Sequence, residues 1–136
     1  MSGILALDVG KKRIGVAISH GYIAQPLPAL DFEKLDGEIL KLKKIIEEQK
    51  VEKAIIGLPF GKDERELGQT KWTKETAQKI IEKLETPYEF VNEAYSTLAA
   101  RDNLDGKKLK NKGEIDSVSA KIILEQYLDE IRNKRL

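Results

Sequence analysis

Two apolar runs near the amino end, Ile4 to Val9 and Ile14 to Ser19, are separated only by Gly10-Lys11-Lys12-Arg13. A gap that short cannot hold a crossover, which takes about a dozen residues or more, so two strands joined by it must run antiparallel. The next segment, Gly21 to Phe32, contains Pro26 and Pro28. Proline cannot donate to a sheet ladder, so a third strand there belongs at an edge.

Beyond the hairpin the period changes. Leu35, Ile39, Leu42 and Ile46 recur with the spacing of an amphipathic helix. Ala54 to Leu58 reads as a buried strand stopped by Pro59, and Gly61 to Gly68 as a polar loop. A second helix presents Ala77, Ile80, Ile81 and Leu84 on one face, and Tyr88 to Asn92 forms a strand entered through Thr86-Pro87. Ser96 caps a short helix through Leu104, Asp105 to Glu114 is a basic loop, and a last helix runs from about Asp116 to Arg132. Its core side carries Ala120, Leu124, Tyr127, Leu128 and Ile131. Strands separated by helices are most simply parallel crossovers. The order therefore predicts an α/β fold: a ribonuclease H-like mixed five-stranded sheet with helices on both faces. Its first three strands are antiparallel and its last two parallel.

Composition narrows the chemistry. The chain has 136 residues, which suits one domain over 1–136. Lys plus Arg number 24 and Asp plus Glu 23, a net charge of +1, so any nucleic-acid affinity must come from local patches. With no Cys, disulfides and thiolate sites are excluded, and a single His excludes a two-histidine zinc site. A metal here would need oxygen ligands. No apolar run approaches the roughly 20 residues that span a bilayer, and MSGILALDVGKK lacks a signal-peptide layout. The expectation is a cytoplasmic protein with no membrane partner.

Three acids stand where an acid is awkward. Asp8 closes the run Ile4-Leu5-Ala6-Leu7; Glu93 follows Phe90-Val91-Asn92; Asp116 follows Ile115 and leads the stripe of Ala120, Leu124 and Tyr127. Taken singly they read as a turn aspartate, a solvated loop acid and an N-cap. Taken together they converge, because ligands of open α/β sheets gather beyond the carboxyl ends of parallel strands. Three carboxylates within about 4 Å would repel by roughly 4 kcal/mol per pair at an effective dielectric of 20. Either protonation or a hard divalent ion removes that repulsion; with one His and no Cys, oxygen-ligated Mg²⁺ or Mn²⁺ is the natural choice, and it suits phosphodiester hydrolysis.

Basic residues bracket these acids. Lys11, Lys12 and Arg13 fill the hairpin turn, and Lys107, Lys108, Lys110 and Lys112 precede Asp116, either as phosphate contacts or as solvated charge. Gly68 and Gln69 open the second helix, either as a flexible helix start or as backbone N–H groups that face a phosphate. Trp72 reads first as a residue that closes the core, with stacking on a base as the alternative. His20 reads as a loop residue.

The segments LALDVGKKRIGVAIS, AIIGLPFGKDERELGQT, FVNEAYSTLAA and EIDSVSAKIILEQYLD resemble, in the same order, the four blocks of the YqgF family. Its members are Holliday-junction resolvase-like proteins, also described as nucleases of pre-16S ribosomal RNA 5′-end processing. The resemblance implies a ribonuclease H-like fold and a divalent-metal endonuclease, with Asp8, Glu93 and Asp116 as catalytic metal ligands. It implies work on precursor ribosomal RNA, in contact with the ribosome, or alternatively on branched DNA. The chain departs from the family pattern at Ala94, where an arginine is usual, at Gly61, where an asparagine is common, and at His20, where an aspartate is usual. The missing arginine keeps a non-catalytic nucleic-acid-binding module of the same fold as a further alternative. An actin-like ATPase, suggested by the D-x-G, would need two such domains, and this chain has room for one.

Overall fold

The computed structural model describes residues 2–58, 68–92 and 112–134, with the side chains of 69, 112–116 and 134 outside that description. The hairpin forms as its short connection requires. Strands β1 (Gly3–Val9) and β2 (Arg13–Ser19) pair antiparallel, with Ala6 opposite Ala17 and Val9 opposite Ile14. At the turn the Gly10 N–H donates to the Arg13 carbonyl at 2.9 Å, and a Cβ on Gly10 would lie 2.9 Å from that same oxygen. Only glycine fits so close an approach.

Strand β3 (Ala24–Asp31) pairs antiparallel with β2, and its register shifts between Ile14 and Val16, across from Pro28. The two prolines thus sit on an edge strand, where their missing donors cost least. The Asp31 carboxylate accepts the Glu33 N–H at 2.9 Å and starts a 3-10 turn, Phe32–Lys34. Helix α1 (Leu35–Glu48) follows and buries Ile39, Leu42 and Ile46. Strand β4 (Val51–Leu58) then returns parallel to β1, helix α2 (Gly68–Leu84) crosses back, and β5 (Tyr88–Asn92) adds parallel to β4. The last described helix is α3 (Lys112–Lys134). The sheet order is β3-β2-β1-β4-β5, so the first strand is central.

Two cores sandwich this sheet. One face packs Leu5, Leu7, Val9, Ile14, Val16 and Ile56 against α1 and α2. The other packs Ala6, Ala17 and Ile55 against Ala120, Ile123, Leu124, Tyr127 and Leu128 of α3. Alanines line the second face where a helix lies close, and branched side chains fill the first. The sequence expectation of a mixed five-stranded sheet with helices on both faces therefore holds.

Two expectations need correction. The last helix begins at Lys112, not near Asp116. Asp116 is accordingly its fifth residue rather than its N-cap, and Lys112 belongs to the helix rather than to a loop. Trp72 does not close the core: it is 39% exposed, while Thr70 and Thr73 beside it are fully buried. Those threonines take the inward stripe that continues through Ala77, Ile80, Ile81 and Leu84. Most of the 61–68 loop, the helix expected from Ser96 to Leu104, and residues 105–111 lie outside the described residues.

Candidate active site

Alternation along β1 decides where Asp8 points. Ile4 and Ala6 pack with the α3-side core, and Leu5, Leu7 and Val9 with the opposite one, so Asp8 belongs to the α3 side. It is half-buried, at the carboxyl end of the central strand. Its register partners are Gly15 on β2 and Gly57 on β4. Laterally paired residues share a face of the sheet, so the places on either side of Asp8 carry no side chain. The carboxylate stands in a gap made by two glycines.

Gly57 in turn pairs with Val91 on β5. Val91 packs with the α3-side core, and Glu93 follows it by two residues. Glu93 itself lies outside the described residues, as do Lys107, Lys108 and Lys110.

Helix α3 is held over this row at both ends. Near its amino end the Ser117 hydroxyl accepts the Val16 N–H at 3.3 Å and donates to the Leu27 carbonyl at 2.7 Å. Val16 and Leu27 are register partners next to the irregularity in β3, so a side chain from the helix bridges a gap in the ladder. Toward its other end the Tyr127 hydroxyl donates to Glu89 Oε2 at 3.2 Å, and Lys53 Nζ donates to the same oxygen at 2.9 Å. The Lys53 ammonium also lies 4.8 Å from the Tyr127 ring centroid. Hydrogen bonding with Tyr127 holds this lysine above its ordinary pKa, with Glu89 adding to the effect and partial burial opposing it.

These anchors make α3 run opposite to β1, with its amino end toward Asp8. The Ser117 hydroxyl meets Val16, whose partner on β1 is Leu7, so the amino end of α3 lies at the level of the last residues of β1.

The basic residues of the hairpin turn lie at the same edge: Lys11 and Lys12 are exposed and Arg13 is half-buried. Gly68 is the first residue of α2. His20 lies at the opposite end of the sheet, with Nε2 2.9 Å from the Gln49 carbonyl oxygen, away from the acids. Among the described residues no three His, Cys, Asp or Glu side chains cluster, since of the three acids only the side chain of Asp8 is described. No described helix is long and apolar enough to cross a membrane.

Sequence reasoning singles out Asp8, Glu93 and Asp116 but passes over Gly15, Gly57 and Ser117. The signal for the glycines was their place at two otherwise branched apolar runs, I-G-V-A and I-I-G-L. For Ser117 it was a serine on the core side of a helix.

Comparison with known proteins adds a relationship. The sequence model of the family described as "RuvX: Holliday junction resolvase" matches residues 2–130. A protein of Gloeothece citriformis (strain PCC 7424) named "Putative pre-16S rRNA nuclease" is 34% identical over 137 residues, covering 97% of this chain and 91% of its own. One of the same name from Sulfurihydrogenibium sp. (strain YO3AOP1) is 38% identical over 135 residues, covering 96% of this chain and 92% of its own. Among solved structures, Thermus thermophilus RuvC in complex with a Holliday junction substrate superposes with a TM-score of 0.56 at 12% identity, covering 96% of each chain. That last likeness is one of fold.

Proposed function

The chain belongs to the RuvX family of Holliday junction resolvases, and from that premise we propose that it is a divalent-metal-dependent endonuclease of precursor 16S ribosomal RNA, acting at the 5′ end. The observation that carries the reading is Asp8: a carboxylate at the end of the central strand, flanked by two glycines, on the face of the sheet that α3 covers.

The residues present fit a hard cation. The donors are carboxylates, the chain has no cysteine, and its one histidine lies at the far end of the sheet. The missing side chains at Gly15 and Gly57 leave room beside Asp8 on its own face. Asp8, Glu93 and Asp116 would hold Mg²⁺ or Mn²⁺, which when bound supplies an activated water and stabilises the leaving oxygen.

The chain's own contribution is placement. Pairing on both sides fixes Asp8 in the sheet, which keeps the carboxylate from following the substrate as it moves. The Ser117 bridge sets the height of α3, and so of Asp116. Lys11, Lys12 and Arg13, together with Lys107, Lys108, Lys110 and Lys112, would engage phosphates flanking the cut, and the backbone at Gly68 and Gln69 would face another. The substrate places the protein in the cytoplasm, beside the assembling ribosome.

The family description favours a second substrate, branched DNA. Cleavage assays on a precursor RNA spanning the 5′ end of 16S and on a four-way DNA junction, each with Mg²⁺, Mn²⁺ or EDTA, decide between them. Metal-dependent RNA cleavage that Asp8→Asn abolishes is the expected result. Cleavage of the junction alone would reassign the substrate. Tight RNA binding without cleavage under any ion would make the chain a binding module, consistent with Ala94 in place of the family arginine.

A further inference from the structure

Trp72 is the only tryptophan of the chain and is exposed on α2, although that helix has a complete buried stripe without it. Thr70, Thr73, Ala77, Ile80, Ile81 and Leu84 fill that stripe. Trp72 is rotated about 100° from Thr73, so its indole stands off the stripe. Lys71, its neighbour, is also exposed.

The position of Trp72 along the helix places it at the active edge. Leu84 ends α2 at the amino end of the sheet, because Thr86 and Pro87 lead directly into β5 and the Pro87 carbonyl accepts the Ala54 N–H at 2.8 Å. Twelve residues separate Trp72 from Leu84, about 18 Å of helix. Along the strands the level of Asp8 is that of Gly57, three residues past Ala54, or about 10 Å. Trp72 thus overreaches Asp8 and stands on the rim of the carboxyl edge, on the α2 side, while Asp8 faces the α3 side. A strand that crosses that edge to reach Asp8 has Trp72 exposed on the rim it crosses.

Resting on the nuclease reading, we propose that Trp72 stacks on an unpaired base of the substrate's single-stranded flank, with Lys71 beside it at the backbone. An exposed indole gives a base a flat apolar face without sequence preference, and it is open only to bases not already stacked in a duplex. Trp72 therefore selects substrates with an unpaired segment next to the scissile phosphate.

The single tryptophan makes the test direct. Indole emission is followed while the full chain, in EDTA, is titrated with a short single-stranded RNA and with a blunt duplex of the same sequence. Saturable quenching by the single strand and little change with the duplex is expected. In parallel, Trp72→Leu should raise KM for an RNA with an unpaired flank by about 5- to 50-fold, the loss lying in KM rather than kcat, and Trp72→Phe should retain most of the affinity. The proposal is overturned if emission stays constant while a labelled strand shows full occupancy by anisotropy, if the duplex quenches equally, or if Trp72→Leu keeps the wild-type KM. Because the titration contains no metal, it reads binding alone: quenching there, with no cleavage when Mg²⁺ or Mn²⁺ is supplied in a separate assay, would sink the nuclease reading alone. Cleavage with an indifferent Trp72 would sink the stacking alone.

Discussion

Asp8 and Gly57 stand opposite each other across the parallel pair of β1 and β4, and the other neighbour of Asp8, Gly15, is also a glycine. A carboxylate paired with branched residues would be hemmed in on the face it shares with them. Here both flanks are left without side chains at the one position of β1 that carries an acid. Gly57→Val is therefore expected to lower kcat by about tenfold or more, since small misplacements at a reacting centre are costly. The circular dichroism spectrum should hold. Full activity in a folded Gly57→Val variant would show that the gap serves packing alone.

The bridge from Ser117 to Val16 and Leu27 couples the helix to an irregular ladder. Ser117→Ala leaves a buried N–H and a carbonyl without that partner, so unfolding in urea should show a loss of about 1–3 kcal/mol. Cleavage should fall further than stability predicts, because Asp116 precedes Ser117 by one residue on the same helix. A variant as stable as wild type would mean that the strands close the gap by themselves.

Thr73 is fully buried and its hydroxyl has no hydrogen-bond partner among the described residues. A buried hydroxyl in that state costs stability, and valine keeps its shape without the polar atom. Thr73→Val should gain about 1 kcal/mol, or a rise of roughly 3–5 °C in Tm by calorimetry. A drop in Tm would indicate that the hydroxyl is satisfied in solution.

The Lys53 ammonium is held above its ordinary pKa by Tyr127 and then by Glu89. A raised folded pKa means that its stabilisation is complete below the unfolded lysine value, about 10.4, and is lost as pH rises through the folded one. The side chains of Lys53 and Glu89 are 31% and 50% exposed, so solvent screening keeps the contribution below about 1 kcal/mol. Denaturation of wild type and Lys53→Met at several pH values should give a constant difference from neutral pH to about 10 that shrinks above it. A difference that grows with alkalinity would contradict this assignment.

In the proposed site Asp8→Asn relieves repulsion among three carboxylates and should leave Tm unchanged or higher in the absence of metal, measured by calorimetry in EDTA. A large fall in Tm would give Asp8 a structural role instead.

The parts of the fold legible in the sequence are those fixed by local rules. A four-residue gap dictated the β1–β2 hairpin, two prolines sent β3 to the edge, and β5 lies over Tyr88 to Asn92, entered through Thr86-Pro87 as expected. What was not legible depends on long-range neighbours. A large aromatic side chain on a helix most often closes the core, which is the expectation for Trp72, yet the fold buries two threonines and leaves the indole outside. The start of α3 was read too late because Lys112, Gly113 and Glu114 carry no apolar stripe, and Gly113 reads as a breaker. Asp8 could be singled out as an acid closing an apolar run. That its flanks are Gly15 and Gly57 follows only from the register of strands far apart in the chain.

The most direct measurement is anomalous diffraction from a crystal of the protein soaked in Mn²⁺. The expected result is a peak within coordination distance of the Asp8 carboxylate, about 2.0–2.6 Å, with Glu93 and Asp116 completing its protein ligands and the peak lost in Asp8→Asn. A Mn²⁺ peak elsewhere on the chain, with Asp8, Glu93 and Asp116 too far apart to share an ion, would contradict the account.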